Sequence, residues 1–332
     1  MSIDMNRREF IRQASGLVAC TAIGSAQAQP AWPTKPVRVV VPVGAGGTAD
    51  ILARTISEAM RKATGQAFVV DLKPGAGGAI ASLDVIKQPP DGHTLLVATI
   101  STHALVQATN QKIGHGYEDY TPIGLLADAR VVMMVTPKLG AKSVKELIET
   151  ARAKPGVLNY YSTGVGSFTH LMSAMLETNA KIKMVHVPYQ GFTQALPDLV
   201  DGRTHLTWDA IGSALPYVKD GRLTAIGVTG KGRTSVLPEL PTVTESMSQL
   251  GLPDISANSW FAVVAPKGMS PELARRINEE LNSALRSPEV VARYTSLGME
   301  PPQSTPAEFA SMWRADIERW RSVVRDAGIK IG

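Results

Sequence analysis

The chain has 332 residues, 44% of them apolar, and carries 34 Lys and Arg against 29 Asp and Glu, a formal charge of +5. That length exceeds one ordinary core and suits two domains of ~150 residues each. The mild basic surplus is scattered without a run of like charge, and aromatics are only 5%, which argues against a nucleic-acid partner.

The N-terminus, MSIDMNRREFIRQ, carries the pair Arg7 and Arg8, then the apolar run ASGLVACTAIGSA, then AQA at 26–28. A basic region, a short apolar region and a small-residue site predict an export signal cleaved after Ala28, and the twin arginines followed by Phe10 and Ile11 resemble a Tat signal. The mature protein is then periplasmic. The competing reading is a lipoprotein, because Leu17, Val18 and Ala19 precede Cys20. Cys20 is the single cysteine, so removal of the signal removes disulfides, zinc thiolates and a cysteine nucleophile together. The signal holds Arg7, Arg8 and Arg12 against Asp4 and Glu9, which leaves +4 on the mature part. Beyond it, no segment approaches the ~18 apolar residues of a membrane span.

From there strands and helices alternate. VRVVV predicts a strand, VPVGAGGTAD a glycine-rich turn, and ILARTISEAMRKATG a helix with Ile51, Thr55, Ala59 and Ala63 on one stripe. QAFVVDL, a second glycine-rich turn in KPGAGGAI with its helix, and the strand DGHTLLVATI continue the pattern, which argues a parallel sheet covered on both faces. TPIGLLADARVVMMVTP then holds two apolar runs without a full helix between them, and the alternation restarts as a second α/β domain. NSWFAVVAPKGM reads as a lone strand followed only by helices. The first of these has Leu273, Ile277, Leu281 and Leu285 at steps of four. The last has Thr305 as N-cap, Pro306 in its first turn, Glu308 in capping-box position and Gly328 as its stop. Phe309, Trp313 and Trp320 pack it down, returning the chain to cover the first domain. The expected fold is α/β, a type II periplasmic-binding-protein architecture of two Rossmann-like lobes joined by two crossover strands. Its lobes are 29–130 with 256–332, and 131–255. Two crossings make a hinge, and the cleft between lobes is where a ligand belongs.

Two turns carry chemistry. The first runs from Val43 through Gly44, Ala45, Gly46, Gly47 and Thr48 to Asp50, and leaves the first amides of its helix free for an anion. The second, YSTGVGSFTH, offers the hydroxyls of Ser162, Thr163 and Ser167, while Gly164 and Gly166 flank Val165 and let a ligand approach the main chain. If the two helix N-termini face each other, an anion is gripped from both lobes without an arginine. Alternatively, each turn only caps its own helix. Asp50 is either a helix-dipole partner or a ligand acceptor. Trp208 and Asp209 end a strand, where they form an aromatic wall and an acceptor, or a core tryptophan and an N-cap.

An exported enzyme using the same loops is the alternative class. Gly44, Gly46 and Ala49 match GxGxxA, with Asp71 placed 27 residues after Gly44, the spacing of a nucleotide-dependent oxidoreductase. Ser167, His170 and Asp209 suggest a hydrolase triad, although Ser167 is not centred in GxSxG; otherwise His170 holds its helix to its neighbours. His93, His103, His115, His186 and His205 lack paired metal-ligand spacing, so neither metal nor cofactor is expected.

WPTKPVRVVVPVGAGGTADILAR, KPGAGGAI, PDGHTLLVAT, NYYSTGVGSFTHL, HVPYQGFTQALPDLVDGR, GRLTAIGVTGKGRTSVLPELPTVTES and SWFAVVAPKGM, with the helical end DAGI, resemble in order the signature of the Bug family. These are extracytoplasmic solute-binding proteins of tripartite tricarboxylate transporters, and the resemblance covers almost the whole mature chain. It implies a non-catalytic, monomeric receptor that closes on a small organic carboxylate and delivers it to membrane permease subunits. It further implies that main-chain amides, hydroxyls and ordered waters of the two turns hold the carboxylate. The chain departs from the family at Val43, Gly44 and Ala45, where an aromatic and prolines are common, and at Val106, where asparagine is common. It keeps Ser101, Thr102 and His103. The expected ligand site is therefore Val43 to Thr48 with Asp50, Ser101 to His103, Thr163 to Ser167, and Trp208 with Asp209.

Overall fold

The computed structural model describes residues 32–109, 113–189, 191–230, 232–255 and 257–329. The export signal, its cleavage site and Cys20 lie outside the described residues. Apolar β1 (Val37–Val41), β2 (Phe68–Leu72) and β3 (Thr94–Thr99) pair in parallel. They are linked through α1 (Thr48–Thr64) and α2 (Ala79–Val85). The long strand β4 (Tyr120–Ala129) closes this first sheet, and after Arg130 the chain enters a second one as β5 (Val131–Val135).

The second lobe then builds α3 (Val144–Ala153), β6 (Asn159–Ser162), α4 (Phe168–Ala180), β7 (Val185–Pro188) and α5 (Phe192–Val200). It is completed by β8 (Leu206–Ala210), α6 (Ile211–Lys219), β9 (Thr224–Val228) and α7 (Val243–Gln249). The chain returns to the first sheet as β10 (Ser259–Pro266) and ends in α8 (Pro271–Leu285), α9 (Pro288–Ser296) and α10 (Pro306–Asp326). The sheet orders are β2-β1-β3-β10-β4 and β7-β6-β8-β5-β9.

Both sheets are mixed where the sequence predicts parallel ones. β10 runs antiparallel to β3 and β4, and β5 antiparallel to β8 and β9. The strands that carry the chain between lobes run against their neighbours, and strand–helix alternation says nothing about that sense. Nor is β10 a lone strand. It lies between β3 and β4, with Trp260 and Ala262 to Ala265 buried, so both of its faces are covered and its sequence reads as a continuous apolar run.

Helix α1 buries Leu52, Ala53, Ile56, Ala59 and Met60 and leaves Ala63 exposed. The predicted stripe is thus turned by one residue, because Leu52, Ile56 and Met60 remove more apolar area from water than Thr55 and Ala63 do. In α8, Ile277, Leu281 and Leu285 are buried as spaced, and buried Asn278 donates to the carbonyls of Ile123 and Ser304. Helix α10 opens with the Thr305–Glu308 capping box, and Phe309, Trp313 and Trp320 are fully buried, each worth ~1.5–3 kcal/mol. It covers the first lobe along β4 but also reaches α4 of the second, where Trp320 meets Phe168 edge-on at 5.8 Å. The last helix therefore ties the two lobes together.

Candidate ligand-binding cleft

Three turns of the first lobe converge at the C-terminal ends of β1, β2 and β3. Between β1 and α1, Gly46 takes a positive φ of 82°, and no side chain caps the helix at its N-cap Gly47. Asp50 is buried; its carboxylate accepts the Gly46 N–H at 2.9 Å and pairs with Arg54 at 2.7 Å. It braces its own turn. The amides of Thr48, Ala49 and Asp50 are the ones that a helix N-terminus leaves over.

The turn after β2, in sequence only a helix opener, lines the same cavity through Gly75, Gly77 and Gly78. A Cβ on Gly78, whose φ is +95°, would sit 2.6 Å from Thr102 Cγ2 and 3.4 Å from Pro42 Cβ, so glycine here lets three turns touch. The glycine run KPGAGG was the available signal. After β3 the chain makes a single π-helical turn, Ile100–Leu105, a rare form that is frequent at functional sites. Thr99 and Thr102 exchange main-chain and hydroxyl hydrogen bonds at its start. Trp313 Nε1 donates to the His103 carbonyl at 3.0 Å, so α10 pins this turn from behind.

In the second lobe the turn before α4 satisfies much of its own main chain. Gly164 donates to Ser162 Oγ at 2.9 Å, Thr163 to Thr169 Oγ1 at 3.1 Å, and Gly166 to His170 Nδ1 at 3.0 Å. Ser167 Oγ accepts the His170 N–H and caps the helix. The amides of Gly164 and Gly166, expected to face a ligand, are thus occupied internally, and those of Phe168 and Thr169 remain by helix geometry. His170 stacks on His186 at 4.2 Å, and His186 Nε2 pairs with the Ser162 hydroxyl at 2.5 Å. Burial first, then His186, lowers the His170 pKa to about 4.

These turns enclose a cavity of ≈ 340 Å³. The first lobe supplies Pro42, Val43, Gly78, Ser101, Thr102 and Val106, and the second supplies Thr163, Val165, Gly166 and Ser167. Of the remaining expected residues, Gly44 to Gly47 are exposed on the turn beside Val43 and Thr48 begins α1. His103 is fully buried behind the wall, with Nδ1 bonded to Thr102 Oγ1 at 2.7 Å; burial holds it neutral. Trp208 is fully buried with Nε1 on Ser173 Oγ at 3.1 Å. Asp209 accepts from the Ala210 N–H and Ser213 hydroxyl at the start of α6, and burial raises its pKa. Its neighbour Trp208 is accordingly the core tryptophan, not an aromatic wall. A larger cavity of ≈ 740 Å³ lies at the interlobe crossings beside Arg130, Asn258 and Asp316, but the two glycine-rich turns do not reach it.

Neither enzymatic constellation is assembled. Asp71 pairs with Arg38 in place of a ribose. His170 Nδ1 holds Gly166, while Asp209 serves α6, so Ser167, His170 and Asp209 form no relay. Among the described residues there is no group of three or more His, Cys, Asp or Glu able to hold a metal, and no helix long and apolar enough to cross a membrane.

Residues 52–329 match the model of the tripartite tricarboxylate transporter family receptor, TctC. The chain is 35% identical over 319 residues to the UPF0065 protein in the tcbD-tcbE intergenic region of Pseudomonas sp., covering 96% of this chain and 94% of that one. Protein BugT of Bordetella pertussis is 30% identical, with 98% and 100% covered. Among solved structures, R. palustris Rpa4515 with adipate superposes with a TM-score of 0.76 at 34% identity, over 90% of this chain and 99% of that one. MatC from Rhodopseudomonas palustris with bound malate gives 0.73 at 31% identity, over 88% and 100%. On sequence, fold and coverage together, this chain belongs to the tripartite tricarboxylate transporter receptor family, the group to which the Bug signature of its turns points.

Proposed function

We propose that the chain is a periplasmic solute receptor that closes two lobes on a small organic carboxylate and delivers it to the transporter's membrane permease. One observation carries the reading: the ≈ 340 Å³ cavity is walled by the turn preceding α1 in one lobe and the turn preceding α4 in the other. Main-chain amides left over at the starts of α1 and α4, together with hydroxyls, favour an anion there without a cationic side chain. The relatives solved with adipate and malate support the acid class. A ligand touching both lobes stabilises the closed form by its contacts in that form alone. In this reading the chain binds and does not turn over its ligand. It reaches the periplasm through the Tat-like signal cleaved near Ala28 and works as a monomer, with lobes 29–130 plus 256–332 and 131–255. Its site is Val43, Ser101, Thr102 and Val106 with 163–167.

A thermal-shift panel of organic acids against their neutral amides tests this. An acid at 100 times its dissociation constant adds ~2.7 kcal/mol of stability, while the amide adds little. A panel in which no acid stabilises the protein, or in which amides do so equally, overturns the reading.

A further inference from the structure

Helix α6 opens with Ile211 and Gly212 and packs on β8 and β5 of the second sheet, whereas α9 ends at Ser296 and packs on α1 and α8 over the first. The start of one helix meets the residues just past the end of the other. A Cβ on Gly212 would lie 2.5 Å from the Leu297 carbonyl oxygen and 3.1 Å from its carbon. From the facing side, a Cβ on Gly298 would lie 2.9 Å from Ile211 Cγ2 and 3.5 Å from the Gly212 nitrogen. The two lobes thus meet here as nearly bare main chain, which yields to added bulk only by a shift of the backbone. Nothing inside its own lobe calls for glycine at 212. Its φ lies outside the left-handed region, and alanine is the better helix former. What an added methyl would meet is the other lobe.

The seam stands on the same rim as the cavity wall. β6 and β8 run parallel, so the turn before α4 and the start of α6, which follow their C-terminal ends, both face the first lobe. β8 lies between β6 and β5, and β5 starts at the crossing; the Ile211 N–H donates to the Arg130 carbonyl there at 3.3 Å. The seam therefore sits between hinge and cavity, and rotation that opens the cleft about the crossing parts it. We infer that Gly212 is a positioning residue for ligand capture: lacking a side chain, it lets the lobes approach to the setting in which both turns reach one cavity. A larger residue stops the rotation short, with each half of the site intact but held apart. This rests on the receptor reading above and adds what limits closure.

Gly212→Ala in the full chain tests the inference in two arms. For the interlobe distance, Val69→Cys and Val185→Cys carry spin labels, with Cys20→Ser removing the native thiol. Both positions are exposed, on β2 and β7, the outermost strands of the two sheets and those farthest from the crossings. Without ligand, pulsed electron resonance on the chain with Gly212 finds a short interlobe distance that Gly212→Ala exchanges for longer ones. In calorimetry with adipate, malate, citrate and hexanoate, each acid that binds the chain with Gly212 binds Gly212→Ala about tenfold or more weakly, because the closed form is rarer. The melting temperature of the ligand-free variant is not lowered, since the seam parts without unfolding either lobe. Unchanged distances, unchanged affinity, or a lowered ligand-free melting temperature, which would assign Gly212 to the packing of its own lobe, each overturns the inference while leaving the carboxylate receptor intact. If no acid binds the chain with Gly212, the receptor reading fails, and the distance arm alone decides the role of Gly212.

Discussion

His170 Nδ1 accepts the main-chain N–H of Gly166 at 3.0 Å, so the turn that opens α4 hangs on a histidine nitrogen that must carry no proton. The ring ends an aromatic stack in a buried place where a charge is unwelcome. His186 stacks on it at 4.2 Å, and Tyr160 lies beyond at 6.3 Å from His170 and 5.3 Å from His186. Glu177, which bonds to Tyr160, is itself held towards the neutral form by burial.

The pH dependence follows in sign. An unfolded histidine titrates near 6.5, and in the fold the His170 pKa is lowered to about 4. Between those values the unfolded chain binds more protons, so stability rises with pH there. His170's contribution is complete above about pH 6.5 and is lost as pH falls through about 4. His170→Asn keeps an acceptor for Gly166 but removes the titration. Thermal melts from pH 4 to 6.5 should show a flatter slope in the variant. Some slope remains, because His103, His115 and His186 are also depressed by burial. An unchanged slope would show that His170 is not the group responsible.

Gly78 offers a test of convergence in the first lobe. Gly78→Ala puts a Cβ 2.6 Å from Thr102 Cγ2 in a backbone of φ +95°, and strain plus crowding should cost about 2–4 kcal/mol. Gly65→Ala, at the far end of α1 with φ +73° and open space around it, pays only the left-handed penalty of about 1–2 kcal/mol. Ligand affinity should fall at least tenfold in the first variant and little in the second. Equal effects on affinity would detach Thr102 from the site.

How far the sequence speaks differs by feature. The Thr305–Glu308 cap, the buried Phe309, Trp313 and Trp320, and the turns that lead into α1 and α4 were legible because each is a local pattern of a few residues. The sense of β10 was not, since strand pairing is decided by segments well over a hundred residues away. The amides of Gly164 and Gly166 are taken by near neighbours, Ser162 and His170, but that the His170 ring turns back onto the main chain depends on its packing against His186 of β7. The role of Gly78 escaped because a glycine run opening a helix looks the same whether or not another turn rests on it.

Trp208 lies at the centre of β8, and its indole is fully buried and donates to Ser173. Trp208→Phe should therefore destabilise the protein by about 1–3 kcal/mol through the lost bond and the space left behind. The dissociation constant should move by less than about threefold, since 2 kcal/mol of global stability does not pass into a pre-formed site. Chemical denaturation and calorimetry separate the two. A tenfold loss of affinity without a loss of stability would put the indole against the ligand after all.

Asp50 separates bracing a turn from meeting a guest. Its carboxylate receives the Gly46 N–H and the Arg54 guanidinium, and Arg54 is largely exposed, so the ion pair is screened. Asp50→Asn retains an acceptor for Gly46 and should cost only about 0.3–1 kcal/mol, with affinity held. Asp50→Ala removes the acceptor, frees the turn, and should cost about 1–2 kcal/mol with a severalfold loss of affinity. The difference between the variants is the measure of bracing. If both lose affinity alike, the negative charge itself faces the ligand, and a carboxylate would be the wrong guest for that side of the cleft.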